Sequence, residues 1–272
     1  MHILKVKDLQ VTFKGKKKQT EIIKNISFDL EKGQCLCIVG ESGSGKTMTM
    51  KAIMGLLDHN FSIQGEAFLG DLNLLTASKE EMRRIRGKQM TMILQNPMVC
   101  FDRLYRIGYQ MEETFRAHTA WSKGKIHQTS VEILKKMQMP DPEEVLKKYP
   151  HQLSGGMLQR IMIGIALALN PDILIADEPT TAIDSVTQYE IMKEFVRLKE
   201  SGVTMIFITH DLGVASMISD RLIVMNQGNI VDSGTFQDIK THANDPYTKQ
   251  LVAQKQAVVA AFTKKIGGKT LD

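Results

Sequence analysis

Residues 3–13, ILKVKDLQVTF, alternate apolar and polar positions, the pattern of a strand with one buried face. A second such run, EIIKNISFDL (21–30), follows a lysine-rich turn at 15–19, and Glu31-Lys32-Gly33 marks the next turn. QCLCIVG (34–40) is continuously apolar and short, which predicts a strand covered on both faces. A glycine-rich loop follows, then a helical pattern from Thr47 to about Leu57. Residues 61–75 return to strand character around a GDLN turn, and Ser78 with Glu81 gives the capping-box signature of a charged helix over 78–87. MTMILQ (90–95) predicts another buried strand. From Pro97 to about Leu167 the pattern is mostly helical, broken at 121–124 and 139–142. ILIADEP, VTMIFITHD and RLIVMNQGNIV supply further strands, and TQYEIMKEFVRLKESG is an amphipathic helix between the first two, stopped by Gly202. Strands alternating with helices predict an α/β fold with a mainly parallel, helix-covered sheet, into which a helical segment of about 98–165 is inserted.

Composition narrows this only a little. The chain has 272 residues, 43% hydrophobic and 24% charged, with a net charge of +5, the profile of a folded globular protein. Mild basicity fits an anionic ligand or membrane surface and selects neither. Three cysteines, Cys35, Cys37 and Cys100, have no paired spacing, so a disulfide framework is excluded and a reducing compartment fits; Cys35 and Cys37 read as core thiols. The N-terminus lacks the apolar region of a signal peptide, and the longest apolar candidate, IMIGIALAL, is stopped by Asn170-Pro171. The 17 methionines fall in apolar periodic segments and read as core filler, while His118, His151 and His242 lack metal-ligand spacing.

The chemistry lies at strand ends. Gly40, Glu41, Ser42, Gly43, Ser44, Gly45, Lys46 and Thr47 satisfy G-x-x-x-x-G-K-[ST] between a predicted strand and a helix, the context that gives this motif meaning. Its backbone N–H groups and helix start, with Met48 just beyond, suit a phosphate chain; Lys46 suits the β- and γ-phosphates, and the Thr47 hydroxyl suits Mg²⁺. Asp177 and Glu178 close an apolar strand at the sheet edge where ligands bind. Asp177 fits a metal-binding acid and Glu178 a group that polarises water toward a γ-phosphate. Gln95 fits either a Mg²⁺ ligand or a holder of that water, and His210 fits a donor to a γ-phosphate oxygen. LSGGMLQR (153–160) opens a strongly apolar helix on two glycines with Ser154 as its cap, and nothing within it can do acid–base or nucleophilic chemistry.

Taken in order, Phe13, the phosphate loop, Gln95, LSGGM (153–157), ILIADE (173–178), AID (182–184) and His210 resemble an ATP-binding-cassette (ABC) ATPase over nearly the whole chain. LSGG separates that family from other phosphate-loop kinases and GTPases. The resemblance implies a P-loop NTPase fold with an antiparallel β subdomain and an inserted helical subdomain. It implies an ATPase domain over 1–250 with a short tail at 251–272. It also implies a head-to-tail pair of nucleotide domains, with ATP and Mg²⁺ between one phosphate loop and the other domain's LSGG. Ser154, Gly155 and Gly156 would then serve the partner's nucleotide, Asp184 would join the binding set, and Phe13 would stack on adenine. YPHQLSGGM (149–157), QNPM (95–98), ITHDLGVAS (208–216) and DPYTKQL (245–251) resemble the nickel and oligopeptide importer branch. That branch implies a second, non-identical ATPase subunit, two permeases, an external binding protein, no nucleic acid, and a place on the cytoplasmic face of the membrane. GGMLQR and VLKKYP (145–150) look closest to members that import nickel, cobalt or another metal as a chelate, with peptides as the alternative cargo. MVCFDRLYRIG (98–108) is atypical of the branch and falls where a permease helix would dock.

Overall fold

A computed structural model describes residues 2–15, 18–180 and 185–254, with the side chains of 185–187 excepted. In chain order the elements are β1 (His2–Lys14), β2 (Gln19–Glu31), β3 (Cys35–Val39), α1 (Lys46–Ile53), β4 (Phe61–Leu69), β5 (Leu72–Asn73), α2 (Lys79–Ile85), β6 (Met90–Ile93), α3 (Ile107–His118) and α4 (Lys123–Lys136). There follow α5 (Pro142–Lys147), α6 (Gly155–Ala168), β7 (Ile173–Asp177), α7 (Ser185–Glu200), β8 (Met205–Thr209), α8 (Leu212–Ile218), β9 (Arg221–Asn226), β10 (Asn229–Gly234) and α9 (Phe236–His242). A last helical stretch covers 246–254. The chain divides into two compact units, one made of the residues up to Ala77 and from Phe207, the other of Ser78–Ile206; the division falls within β8.

In the first unit β1 pairs antiparallel with β2 on one edge and β4 on the other, in the order β2-β1-β4-β5. The inward positions of β1 are Leu4, Val6, Leu9 and Val11, all nearly inaccessible. Their spacing changes phase between Val6 and Leu9, where the register shifts and Asp8 takes a φ of 49°. This bulge lets both halves of the strand face one core; without it Leu9 and Val11 would point outward. The Ser27 hydroxyl accepts the bulge N–H of Asp8 at 2.9 Å. All five residues of β3 are buried, as the unbroken apolar run requires. β3 lies parallel to β9, Ile38 opposite Ile223, and the order here is β10-β9-β3-β8. RLIVMNQGNIV is a hairpin rather than one strand: Gln227 and Gly228, both at positive φ, turn β9 back into antiparallel β10. α1 stops at Ile53 rather than Leu57, because Gly55 takes a φ of 60° and the Leu56 N–H closes on the Lys51 carbonyl. α8 and α9 are additional to the sequence-predicted elements.

In the second unit β6 runs parallel to β7, Met90 opposite Ile173, with β8 beyond β7. α6 packs on β6 and on α4, while α3, α4 and α5 cluster together. The capping box of α2 forms as the sequence predicts: Ser78 Oγ accepts from Glu81 N–H, and the Glu81 carboxylate accepts from Ser78 N–H. The predicted breaks in the helical stretch contain the caps Ser122 and Asp141, and a further break at 148–154 holds Pro150.

Candidate functional site

Gly40 leaves the end of β3, and the loop 40–45 leads straight into α1, so the first turn of a helix faces whatever lies over the sheet edge. The loop is built tightly. A side chain at Gly40 would press on the Met225 carbonyl at 2.2 Å and on Ser44 Oγ at 2.7 Å. Gly45 caps α1 with a φ of 105°, and a Cβ there would lie 2.4 Å from Ile23 Cδ1. The Ser44 carbonyl accepts from Gly228 N–H at 3.0 Å, which fastens the loop to the β9–β10 turn. Lys46 is 4% exposed, and its ammonium folds over the loop, donating to the Gly40 carbonyl at 2.7 Å and the Glu41 carbonyl at 2.9 Å. Ser44 Oγ is buried and has no hydrogen-bond partner among the described residues. Glu41, Ser42 and Gly43 are exposed on the rim, and Thr47 and Met48 are half-buried in the first turn of α1. A buried hydroxyl without a partner, a buried ammonium and a helix start converge on one cradle. That is the donor set a phosphate chain needs.

In the same unit His210 is exposed directly after β8. Phe13 is 38% exposed near the end of β1, its ring 5.2 Å from that of Phe61 on the paired strand.

The second unit carries the carboxylates. β7 is wholly buried, and Asp177, its last residue, is 2% exposed. Glu178 takes a φ of 45°, a conformation that costs a side-chain-bearing residue about 1–2 kcal/mol. The turn redirects the backbone at the strand end, so the consecutive acids sit in different surroundings, Asp177 buried and Glu178 half-buried. Gln95, exposed two residues beyond β6, donates from Nε2 to Glu178 Oε2 at 3.2 Å. β6 and β7 are paired neighbours, so their ends bring together residues 83 positions apart.

The LSGG segment lies in the same unit and is differently made. Ser154 caps α6, its Oγ accepting from Met157 N–H at 3.2 Å, while Leu153 and Leu158 are buried on either side. Ser154 and Gly155 are exposed, and a Cβ on Gly155 would meet nothing within 4 Å. Asp184 lies outside the described residues. Two features escaped the sequence reading: the left-handed backbone of Glu178, and Tyr247, whose Oη accepts the Glu41 N–H at 2.8 Å. Asp245-Pro246, a helix cap followed by proline at the first helical position, is the sequence signal that would have placed Tyr247 on a helix.

Among the described residues no helix is long and apolar enough to cross a membrane. The sequence profile of the ABC transporter family matches residues 23–181. The chain is 38% identical over 273 residues to the metal-staphylopine import system ATP-binding protein CntD of Staphylococcus aureus (strain NCTC 8325 / PS 47), covering 100% of both chains. It is 45% identical over 267 residues to the dipeptide transport ATP-binding protein DppD of Lactococcus lactis subsp. cremoris (strain MG1363), covering 97% of this chain and 76% of the relative. Its fold matches the ATP-binding cassette MJ0796, seen as a dimer in a post-hydrolysis state bound to ADP and Pi, with a TM-score of 0.76 and 28% identity over 86% of this chain and 98% of that one. The α/β fold is therefore the P-loop cassette fold, and the chain belongs to the ABC transporter family as an ATPase subunit.

Proposed function

We propose that the chain powers an ABC importer for a metal ion carried as a chelate, by hydrolysing ATP on the cytoplasmic face of the membrane. Lys46, Ser44 and the N–H groups at the start of α1 bind the phosphates of ATP. Thr47, Asp177 and Gln95 offer the hard oxygen donors that suit Mg²⁺. When bound, Mg²⁺ supplies neutralisation of charge on the β- and γ-phosphate oxygens. Glu178 takes a proton from the water whose oxygen bonds to the γ-phosphorus, while the bond from that phosphorus to the bridging oxygen breaks and leaves ADP and phosphate. Gln95, bonded to Glu178, orients that carboxylate, and His210 donates to a γ-phosphate oxygen as charge grows. Phe13 stacks on adenine, and Asp184 belongs to the nucleotide set. Ser154, Gly155 and Gly156 complete the ATP site of a second, non-identical ATPase subunit. We assign the ATPase domain to 1–250, its helical signature subdomain to about 98–165 and a tail to 251–272.

Two permeases and an external binding protein complete the system. Val99, Leu104, Tyr105 and Tyr109 are exposed, with Leu104 80% accessible, and offer the apolar contacts a permease helix needs. The observation that carries the cargo is the match along 100% of both chains with a metal-staphylopine import ATPase. The 45% identity to a dipeptide transport ATPase favours the second reading, a peptide cargo. Uptake of radioactive nickel by cells carrying the complete system separates them. Nickel should accumulate, excess dipeptide should not compete, and Glu178→Gln should cut uptake about 10²- to 10⁴-fold, the usual worth of a positioned general base. Competition by dipeptide would favour the peptide reading, and a fully active Glu178→Gln would remove the role of Glu178.

A further inference from the structure

The helix at 246–254 is anchored with unusual care for a surface element. Asp232 of β10 accepts from Asn244 N–H through Oδ1 at 3.2 Å and from Asp245 N–H through Oδ2 at 3.1 Å. Asp245 then caps the helix: its Oδ1 accepts from Tyr247 N–H at 2.8 Å, and its carbonyl accepts from Lys249 N–H at 3.1 Å. Pro246 takes the first helical position, where its missing N–H costs nothing, and Thr248 is fully buried. Each step fixes where Tyr247 projects.

Tyr247 projects onto the phosphate loop, where its Oη accepts the Glu41 N–H at 2.8 Å. Burial, the larger cause, and the nearby Glu41 charge hold this phenol above its ordinary range, against the opposing pull of the Glu41 N–H. The hydroxyl is thus neutral at physiological pH. The peptide group between Gly40 and Glu41 is gripped at both ends, its N–H by Tyr247 and its carbonyl by the Lys46 ammonium, which also holds the Glu41 carbonyl. These two holds differ in kind. On the reading given above, which this inference rests on, Lys46 must turn from the loop carbonyls toward a phosphate. The Tyr247 hydroxyl makes no such exchange.

We infer that Tyr247 is a positioning residue for nucleotide binding: its hydroxyl holds the entry to the phosphate loop in the binding conformation when Lys46 turns to the phosphates. It touches neither nucleotide nor metal and acts only through the Glu41 backbone.

The test is Tyr247→Phe in the full-length chain, compared with the parent and Lys46→Ala by calorimetric titration with ATP and ADP, alongside melting without nucleotide. Loss of one hydrogen bond predicts binding weaker by about three- to tenfold for both nucleotides. The bond is already made without nucleotide, so the nucleotide-free melting temperature should fall by no more than the few degrees that about one hydrogen bond is worth. In the assembled transporter the KM for ATP should rise by the same factor with kcat unchanged, because Glu178 is untouched. Parental affinity in Tyr247→Phe would overturn the inference, as would weaker binding accompanied by a loss of nucleotide-free stability well beyond one hydrogen bond. A parent that melts cooperatively but binds no ATP would instead overturn the phosphate-loop reading, and the inference with it.

Discussion

The phosphate loop and the LSGG segment each open a helix on glycine, and they are opposites. At the phosphate loop the chain braces its own backbone. Gly45 is forced by a φ of 105° and by Ile23, the Ser44 carbonyl is bonded to Gly228, and Lys46 is buried against two carbonyls. At LSGG the chain makes almost no demand. Gly155 has open space where a side chain would go, and Ser154 spends its hydroxyl on capping α6. The first start is a cradle braced from within. The second keeps a smooth, donor-rich helix end exposed, which is sensible only where something outside the chain must approach closely.

The largest expected effect breaks the crowded side. Lys46→Ala removes a charged phosphate contact and both bonds that close the loop, so ATP affinity should fall by at least about a hundredfold in titration. Gly45→Ala should come next. It imposes a positive φ on alanine and a clash at 2.4 Å, costing about 1–3 kcal/mol, seen as a lower melting temperature together with weaker ATP binding. The matching change on the open side, Gly155→Ala, should be the smallest for the isolated chain. It should leave ATP affinity intact and hold or raise stability by up to about 1 kcal/mol, because alanine is the better helix former. If Gly45→Ala and Gly155→Ala behaved alike, the contrast between the two starts would be lost.

The sequence made much of this legible, and the exceptions have physical causes. Ser154 and Ser78 read as caps and are caps, because capping is local chemistry. The buried β3 and β7 follow from short, unbroken apolar runs. The β1 bulge was written as a change of phase, Leu4 and Val6 against Leu9 and Val11, but a change of phase does not say which residue absorbs it. The return strand of the hairpin at 227–228 was hard to bound, because only Ile230 and Val231 of β10 are apolar. At the site, residue types gave Lys46, Asp177 and Glu178, whereas the Gln95–Glu178 bond depends on strand pairing across 83 positions. Tyr247 was the least legible, since its contact with Glu41 spans 206 positions and involves a backbone N–H that carries no sequence signature.

The central claim is that this LSGG serves another subunit's nucleotide. The most direct measurement is ATP-dependent association of the Glu178→Gln chain with its partner ATPase, followed by sedimentation, with and without Gly155→Arg. The arginine occupies the open space where a side chain at 155 would begin, beside Ser154. The account predicts that Gly155→Arg binds ATP with parental affinity yet no longer associates. Association that survives Gly155→Arg, or ATP binding that is lost with it, would contradict the account.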